Sequence, residues 1–275
     1  MKTRVIVAVS LLPFFLLILL ACPVWVTAVM VAAMSALAVY ELLYTAGLVK
    51  NLRIIIYSAI AAAGISFWSC FGCSSVWGLT IVFVYFAALF GEFLAANTNL
   101  AFNRICIAAF SALVVPYMLS ALVRILNMEY GRFYILVALI LAFTSDTGAY
   151  FVGMKFGKHK LAPIISPKKT VEGLVGGIVS CTLFMLLYCL VLQVCFRFTM
   201  DYVSAVIYGV FGSLASVMGD LVFSVIKRQS GIKDYGKLLP GHGGILDRFD
   251  SMVVVAPLTE LLLMLLPLIA KGRLS

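Results

Sequence analysis

Between Gly219 and Asp250 the chain reads GDLVFSVIKRQSGIKDYGKLLPGHGGILDRFD, its longest polar run. Four of the eleven acidic residues lie there, Asp220, Asp234, Asp247 and Asp250, with Lys227, Arg228, Lys233, Lys237, Arg248 and one of the two histidines, His242. In a chain that is 64% hydrophobic, charges beside apolar segments are costly unless paired or hydrated, so the cluster is a candidate site. Asp220, Ser224, Lys227 and Arg228 are spaced i, i+4, i+7 and i+8, one face of a helix, with Asp220 ~12 Å along the axis from Arg228. Glycines and Pro240 mark residues 229–246 as a loop, and the glycines flanking His242 allow backbone to come close to a ligand. Asp247 and Asp250 share a face at the start of the next helix. A loop that folds back brings Asp247 beside Asp220. Two carboxylates with waters and phosphate oxygens suit Mg²⁺, and the surrounding lysines and arginines suit phosphate. The competing reading is a basic loop with charges at helix ends, common in membrane proteins.

A second constellation precedes it. Asp146 sits in Ser145-Asp146-Thr147-Gly148-Ala149-Tyr150-Phe151 near the end of an apolar segment, which points to a hydrated pocket or to an interhelical hydrogen bond. A basic loop follows with Lys155, Lys158, His159 and Lys160, then Ser166-Pro167-Lys168-Lys169-Thr170-Val171-Glu172-Gly173. Thr170 or Ser166 can cap the next helix with Glu172 in its first turn. A helix N-terminus beside Lys168 and Lys169 suits a phosphate chain. A solvated basic loop is the alternative.

These residues need a scaffold, and composition defines it. With 275 residues, 11% charged and mean hydropathy +1.15, the chain is expected to be an all-α, polytopic integral membrane protein. Segments long enough to span fall near 5–21, 24–47, 54–70, 76–97, 105–126, 133–153, 172–196, 203–226 and 251–270, about nine transmembrane helices. Residues 1–100 read as N-terminal transmembrane helices, and 101–275 as the transmembrane region carrying the chemistry and its loops. Lys2 and Arg4 before an apolar run ending at Cys22 resemble a signal peptide; a helical hairpin over the first two segments is the simpler account. With the N-terminus inside, fifteen of the twenty lysines and arginines fall on inside segments, so the Gly219–Asp250 segment faces the cytoplasm. Trp25, Trp68 and Trp77 then lie near outer ends. The net charge of +9 follows from this loop bias, and nucleic acid is excluded for want of a basic soluble domain. The cysteines read as small hydrophobes; Cys70 and Cys73 form a C-x-x-C without a second pair. Glu41, Glu92 and Glu260 read as structural.

The run Ser224–Asp250 resembles the signature of phosphatidate cytidylyltransferases, also called CDP-diacylglycerol synthases. The likeness rests on Ser224, Lys227-Arg228, Lys233-Asp234, Gly236, Pro240, His242-Gly243-Gly244, Asp247-Arg248 and Asp250. SDTGAYFVG and SPKKTVEG resemble internal motifs of that family, so the likeness covers about residues 140–255. The resemblance implies transfer of a cytidylyl group from CTP to phosphatidate, giving CDP-diacylglycerol and pyrophosphate in phospholipid biosynthesis. It implies catalytic roles for Asp220, Asp247 and His242, metal ligation by Asp220, Asp247 and Asp250, and substrate contacts by Asp146, Lys168, Lys169, Glu172, Ser224, Lys227, Arg228, Lys233 and Arg248. Mg²⁺ or Mn²⁺ is the expected cofactor, with a second metal ion allowed. The expected partners are CTP, phosphatidate and membrane lipids, with a homodimer left open. The expected place is a bacterial inner membrane, with the active site on the cytoplasmic side. Two other classes stay open. A transporter would use intramembrane aspartates for ion coupling, yet the polar residues gather at one membrane face. The other is a related lipid enzyme, either a CTP-dependent cytidylyltransferase for an ether or polyprenyl phosphate or a CDP-alcohol phosphotransferase; the last would carry a run of aspartates along one helix, whereas here only Asp247 and Asp250 are so spaced.

Overall fold

Apolar runs of about 20 residues leave the backbone one economical choice in a bilayer: satisfy every N–H and C=O internally, as a helix. The computed structural model describes residues 13–96, 99–236 and 243–273, with side chains described as far as Ile269. The chain divides into two compact units, Met1–Arg132 with Ile226–Phe249, and Phe133–Val225 with Asp250–Ser275.

In the first unit, the described part of α1 covers residues 13–21. It is followed by α2 (Val24–Tyr40), extended by a π-helical turn at Glu41–Thr45. Next come α3 (Leu52–Cys70) and α4 (Ser75–Ala95). A further span is built from α5 (Phe102–Ala109), a π-helical turn at Phe110–Val114, α6 (Val115–Leu119) and α7 (Ala121–Leu126). Lipid tails are as apolar as leucine, so helix association depends on close packing and interhelical hydrogen bonds. The buried faces show both. α2 buries Ala28, Ala32, Ser35 and Ala38, and α3 buries Ser58, Ala61, Ala62 and Ser66. Ser66 Oγ donates to Ser35 Oγ at 3.3 Å, and Ser58 Oγ lies 2.8 Å from Tyr85 Oη of α4. Val39, Leu43, Ile54, Ile55, Leu89 and Ile105 belong to the same core. The ends of α3 are satisfied by asparagines: Asn51 Oδ1 accepts from Arg53 N at 3.0 Å, and Asn127 Nδ2 donates to the Cys70 carbonyl at 3.1 Å. α4 leaves Trp77, Leu79 and Phe83 exposed, a face suited to lipid.

The second unit takes its residues from α8 (Gly131–Phe156), α9 (Val171–Phe196), α10 (Tyr202–Gln229) and α11 (Leu246–Leu265), the helices as they run along the chain. α8 and α9 approach closely because small residues line the crossing. A Cβ at Gly148 would overlap the Ser180 side chain, and one at Gly176 would overlap Val152. Ser145 Oγ lies 2.8 Å from Ser213 Oγ, joining α8 to α10. α10 starts on an Asp201 cap whose Oδ1 accepts from Val203 N at 3.0 Å, and just past α11 the Leu266 carbonyl accepts from Tyr208 Oη at 3.0 Å.

One expectation changes. The stretch after α8 is not plain loop: β1 (Lys160–Ala162) pairs antiparallel with β2 (Ser166–Thr170), and β3 (Phe198–Met200) pairs with β4 (Ile269–Arg273). These ladders satisfy backbone groups where helices stop, in segments too short for period-2 patterning to be read. The helical class stands, and the count of nine is not confirmed. Among the described residues seven helices are long and apolar enough to span, Val24–Thr45, Leu52–Cys70, Ser75–Ala95, Phe102–Leu126, Gly131–Phe156, Val171–Phe196 and Tyr202–Gln229. The segment near 5–21 lies partly outside the described residues. α11 carries Asp247, Arg248, Asp250 and Glu260, more charge than the other seven tolerate. The protein is a multi-pass membrane protein.

Candidate active site

The second unit holds a cavity of about 340 Å³ with Asp146 of α8, Lys168 and Lys169 of β2 and Asp220 of α10 in its lining. The local sequence explains how each arrives. Thr170 closes β2 and opens α9, its Oγ1 accepting from Gly173 N at 3.1 Å, so the lysines just before it stand at a helix entrance. Glu172, in the first turn of α9, accepts from Lys158 N at 3.0 Å and lies 2.6 Å from His159 Nδ1. That carboxylate fastens the strand-bearing segment to the helix start. Ser216, Asp220 and Ser224 recur every fourth residue on α10 and share a face.

Lys169 Nζ is 2.6 Å from Asp220 Oδ2, and Ser224 Oγ donates to Asp220 Oδ1 at 3.1 Å. Asp146 Oδ1 accepts from Ser216 Oγ at 3.0 Å, and its Oδ2 accepts from Ser251 Oγ of α11 at 3.5 Å. Gly219 makes the last contact possible: a Cβ there would press on the Asp250 carbonyl at 2.7 Å and on Ser251. The cavity therefore presents two carboxylates and two ammonium groups. Such a surface can hold a polyanion together with a cation.

The first unit gathers a second polar cluster around the segment that drew attention in the sequence. Lys227 Nζ is 2.9 Å from Asp247 Oδ1, with the two side chains only 11% and 3% exposed. Asp247 Oδ2 accepts from Tyr235 N at 2.7 Å and Gly244 N at 2.9 Å. Lys227 also stands 5.3 Å from the centre of the buried Tyr235 ring, a cation–π arrangement. Glu41, from the π-helical turn, accepts from Ile245 N at 2.9 Å and Leu246 N at 2.8 Å, the entrance of α11. A larger cavity of about 650 Å³ is lined by Leu37, Tyr40, Glu41, Ile232, Lys233 and Asp234 among others.

Of the residues singled out in the sequence, Asp146, Lys168, Lys169 and Asp220 line one cavity. Ser224 donates to Asp220, and Glu172 holds the adjoining backbone. Lys227 and Asp247 meet in the other unit, and Lys233 lines its cavity. Arg228 Nη1 donates to the Ile232 carbonyl at 3.4 Å, closing the end of α10. Arg248 is exposed, while Asp250 is buried, its Oδ1 accepting from Ser251 N at 2.8 Å. His242 lies outside the described residues. Among the described residues, no three His, Cys, Asp or Glu side chains converge. The sequence reading missed Ser216, Ser251, Tyr235 and the part played by Glu41. Only Ser216 left a readable signal, one turn before Asp220 on the same helix face.

The fold and the two clusters define a polytopic helical membrane protein with lysines set against carboxylates. A family model described as "Cytidylyltransferase family" matches residues 2–266. The chain belongs to the cytidylyltransferase family. It is similar to a protein of Bacillus subtilis (strain 168) named phosphatidate cytidylyltransferase, 33% identical over 276 residues, covering 96% of this chain and 98% of the relative. Proteins with the same name from Staphylococcus saprophyticus and Staphylococcus haemolyticus are 47% and 44% identical over 133 residues, 48% of this chain and 50% of each relative.

Proposed function

We propose that this chain is a phosphatidate cytidylyltransferase of phospholipid biosynthesis. It transfers the cytidylyl group of CTP to phosphatidate, giving CDP-diacylglycerol and pyrophosphate. The observation that carries this reading within the protein is the cavity where Lys168 and Lys169 stand beside Asp146 and Asp220. The name borne by the Bacillus subtilis relative supports it.

The chemistry asks little of a general base. The second pKa of a phosphate monoester is about 6, so the phosphatidate phosphate is largely a dianion at neutral pH. One of its oxygens bonds to the α-phosphorus of CTP, the bond from that phosphorus to the bridging oxygen of the β-phosphate breaks, and pyrophosphate leaves with the electron pair. The obstacles are mutual repulsion of two polyanions and the charge gathering on the leaving group. Lys168 and Lys169 are suited to the triphosphate. Lys227, Arg228 and Lys233 are the remaining candidates for phosphate contacts. His242 enters the proposal as a group that orients or protonates a phosphate oxygen.

A divalent cation fits the donor set of the second unit. Asp146 and Asp220 offer hard anionic oxygens to one cavity, the ligands Mg²⁺ and Mn²⁺ prefer, and Asp220 already draws an ammonium to 2.6 Å. Asp247 and Asp250 are further carboxylates for this role. A bound cation would neutralise phosphate charge. The basic-residue bias supports a cytoplasmic site in a bacterial inner membrane, where CTP is available.

Purified protein in mixed micelles with labelled CTP and phosphatidate tests the proposal. One pyrophosphate should appear for each CTP consumed, only when phosphatidate is present, and without a sealed membrane. Equal release without lipid, or none with a range of lipid phosphates, overturns it.

A further inference from the structure

Glu41 has the features of a residue working at a distance from its own helix. It sits in the π-helical turn that extends α2, where Ala46 N donates to the Glu41 carbonyl at 3.0 Å, an i+5 bond. Such widened turns re-aim side chains and recur at functional sites. Its carboxylate is buried, the residue being 3% exposed. The two oxygens accept separately: Oε1 from Ile245 N at 2.9 Å and Oε2 from Leu246 N at 2.8 Å. These are orphan donors at the start of α11, where a helix favours negative charge. The acceptor is supplied from more than 200 residues away.

Two glycines leave room for the carboxylate. A Cβ on Gly236 would meet Glu41 Oε1 at 2.6 Å, and a Cβ on Gly244 would overlap the same group. Asp247 grips the same two stretches from its own side, through Tyr235 N and Gly244 N. Glu41 and Asp247 thus clamp residues 235–236 and 244–246 together, and the fixed Asp247 holds Lys227.

We propose that Glu41 is a positioning residue for the transfer reaction. Its carboxylate fixes the turn before α11 so that Asp247 and Lys227 are held in one geometry. This rests on reading the Lys227–Asp247 segment as part of the active site. Gln at this position keeps the size but turns one acceptor into a donor facing a backbone N–H. Asp keeps the charge but is one methylene too short to reach both N–H groups. The role is one of geometry, so the loss falls on kcat more than on the KM for CTP.

The test compares wild type with Glu41→Gln, Glu41→Asp and a control, Glu92→Gln, which alters a carboxylate on α4 in the same unit. Each full-length protein is purified in detergent, assayed for kcat and KM, and followed by hydrogen exchange. Glu41→Gln is expected to lower kcat tenfold or more, with KM for CTP changed less than threefold. Exchange should quicken over residues 243–249 and not in α3. Glu41→Asp should fall between wild type and Glu41→Gln, and Glu92→Gln should match wild type. If Glu41→Gln does not fold, Glu41→Asp is read by the same criteria. A kcat within twofold of wild type overturns the proposal. So does faster exchange across the whole unit, which marks a residue needed only for stability. If wild type and Glu92→Gln both lack transfer activity, the functional reading fails, and the exchange pattern still decides whether Glu41 fixes the turn.

Discussion

Removing one member of a buried ion pair strands the other's charge, and the cost falls on stability before chemistry. Lys227 and Asp247 are such a pair, nearly closed to solvent. Lys227→Met leaves the Asp247 carboxylate buried with two backbone donors but no counter-charge. It should destabilise the protein by about 3–5 kcal/mol, read as a fall in denaturation midpoint in detergent. The double variant Lys227→Met with Asp247→Asn keeps an acceptor for Tyr235 N and Gly244 N without a stranded charge. It should recover part of the loss; equal or greater loss would show that the pair's charge is not what matters. Asp220 is less buried, at 31% exposed with Lys169 at 21%, so its substitution should spare stability. Asp220→Asn should lower turnover on the order of 100-fold or more, because an amide supplies no charge to hold a cation or to position Lys169. Pyrophosphate release by that variant at near wild-type rate would remove Asp220 from the chemistry. EDTA should stop the wild type, with Mg²⁺ or Mn²⁺ restoring it.

The helix entrances show how single caps set larger elements. Thr170 places Lys168 and Lys169 by starting α9 directly after β2. Both lysines line the cavity, and Lys169 Nζ stands 2.6 Å from Asp220 Oδ2. Lys168→Ala should therefore raise the KM for CTP with little change in kcat, whereas Lys169→Ala should reduce kcat as well. Steady-state kinetics at saturating phosphatidate separates the two; the same profile for both would mean that the contact with Asp220 has no catalytic consequence. At the other end of the unit, Asp201 caps α10. The Ser204 hydroxyl, then the Ser204 and Val203 N–H groups, hold its carboxyl below the ordinary value. A depressed folded pKa contributes stability that is complete above the unfolded value and is lost as pH falls through the folded one. Asp201→Ala should melt roughly 2 °C below wild type at pH 7. That gap should close as the pH drops below the ordinary aspartate range, and a gap that widens on acidification would contradict the cap.

For the whole molecule, orientation decides whether CTP can reach the site. The basic bias predicts that Asp234 faces the cytoplasm and Glu129 the outside. In a cysteine-free background, Asp234→Cys should react only with reagents that enter the cell, and Glu129→Cys with reagents kept outside. The reverse pattern would overturn both the orientation and the proposed access of CTP. Gly236 is a poor labelling position because its Cβ would strike Glu41.

The membrane class, most helix positions and the main polar residues were legible because they depend on local properties. A run of apolar side chains long enough to cross a bilayer is a property of consecutive residues, as is the end of α10 at Gln229 before the glycine-rich stretch. Thr170 capping α9 with Glu172 one step inside is equally local. Asp146, Lys168, Lys169 and Asp220 stood out singly because charge is rare in such a chain. What spacing does not contain is which of these charges meet. Lys169 pairs with Asp220 and Lys227 with Asp247, pairings of a strand with a helix and of two successive helices that only tertiary packing chooses. The short strands escaped notice because three to five residues carry too little pattern. Glu41 was legible only as a carboxylate near a helix end. Its partners are backbone N–H groups, which every residue but proline carries, so only the tertiary structure, by bringing the end of α2 to the entrance of α11, decided what Glu41 holds.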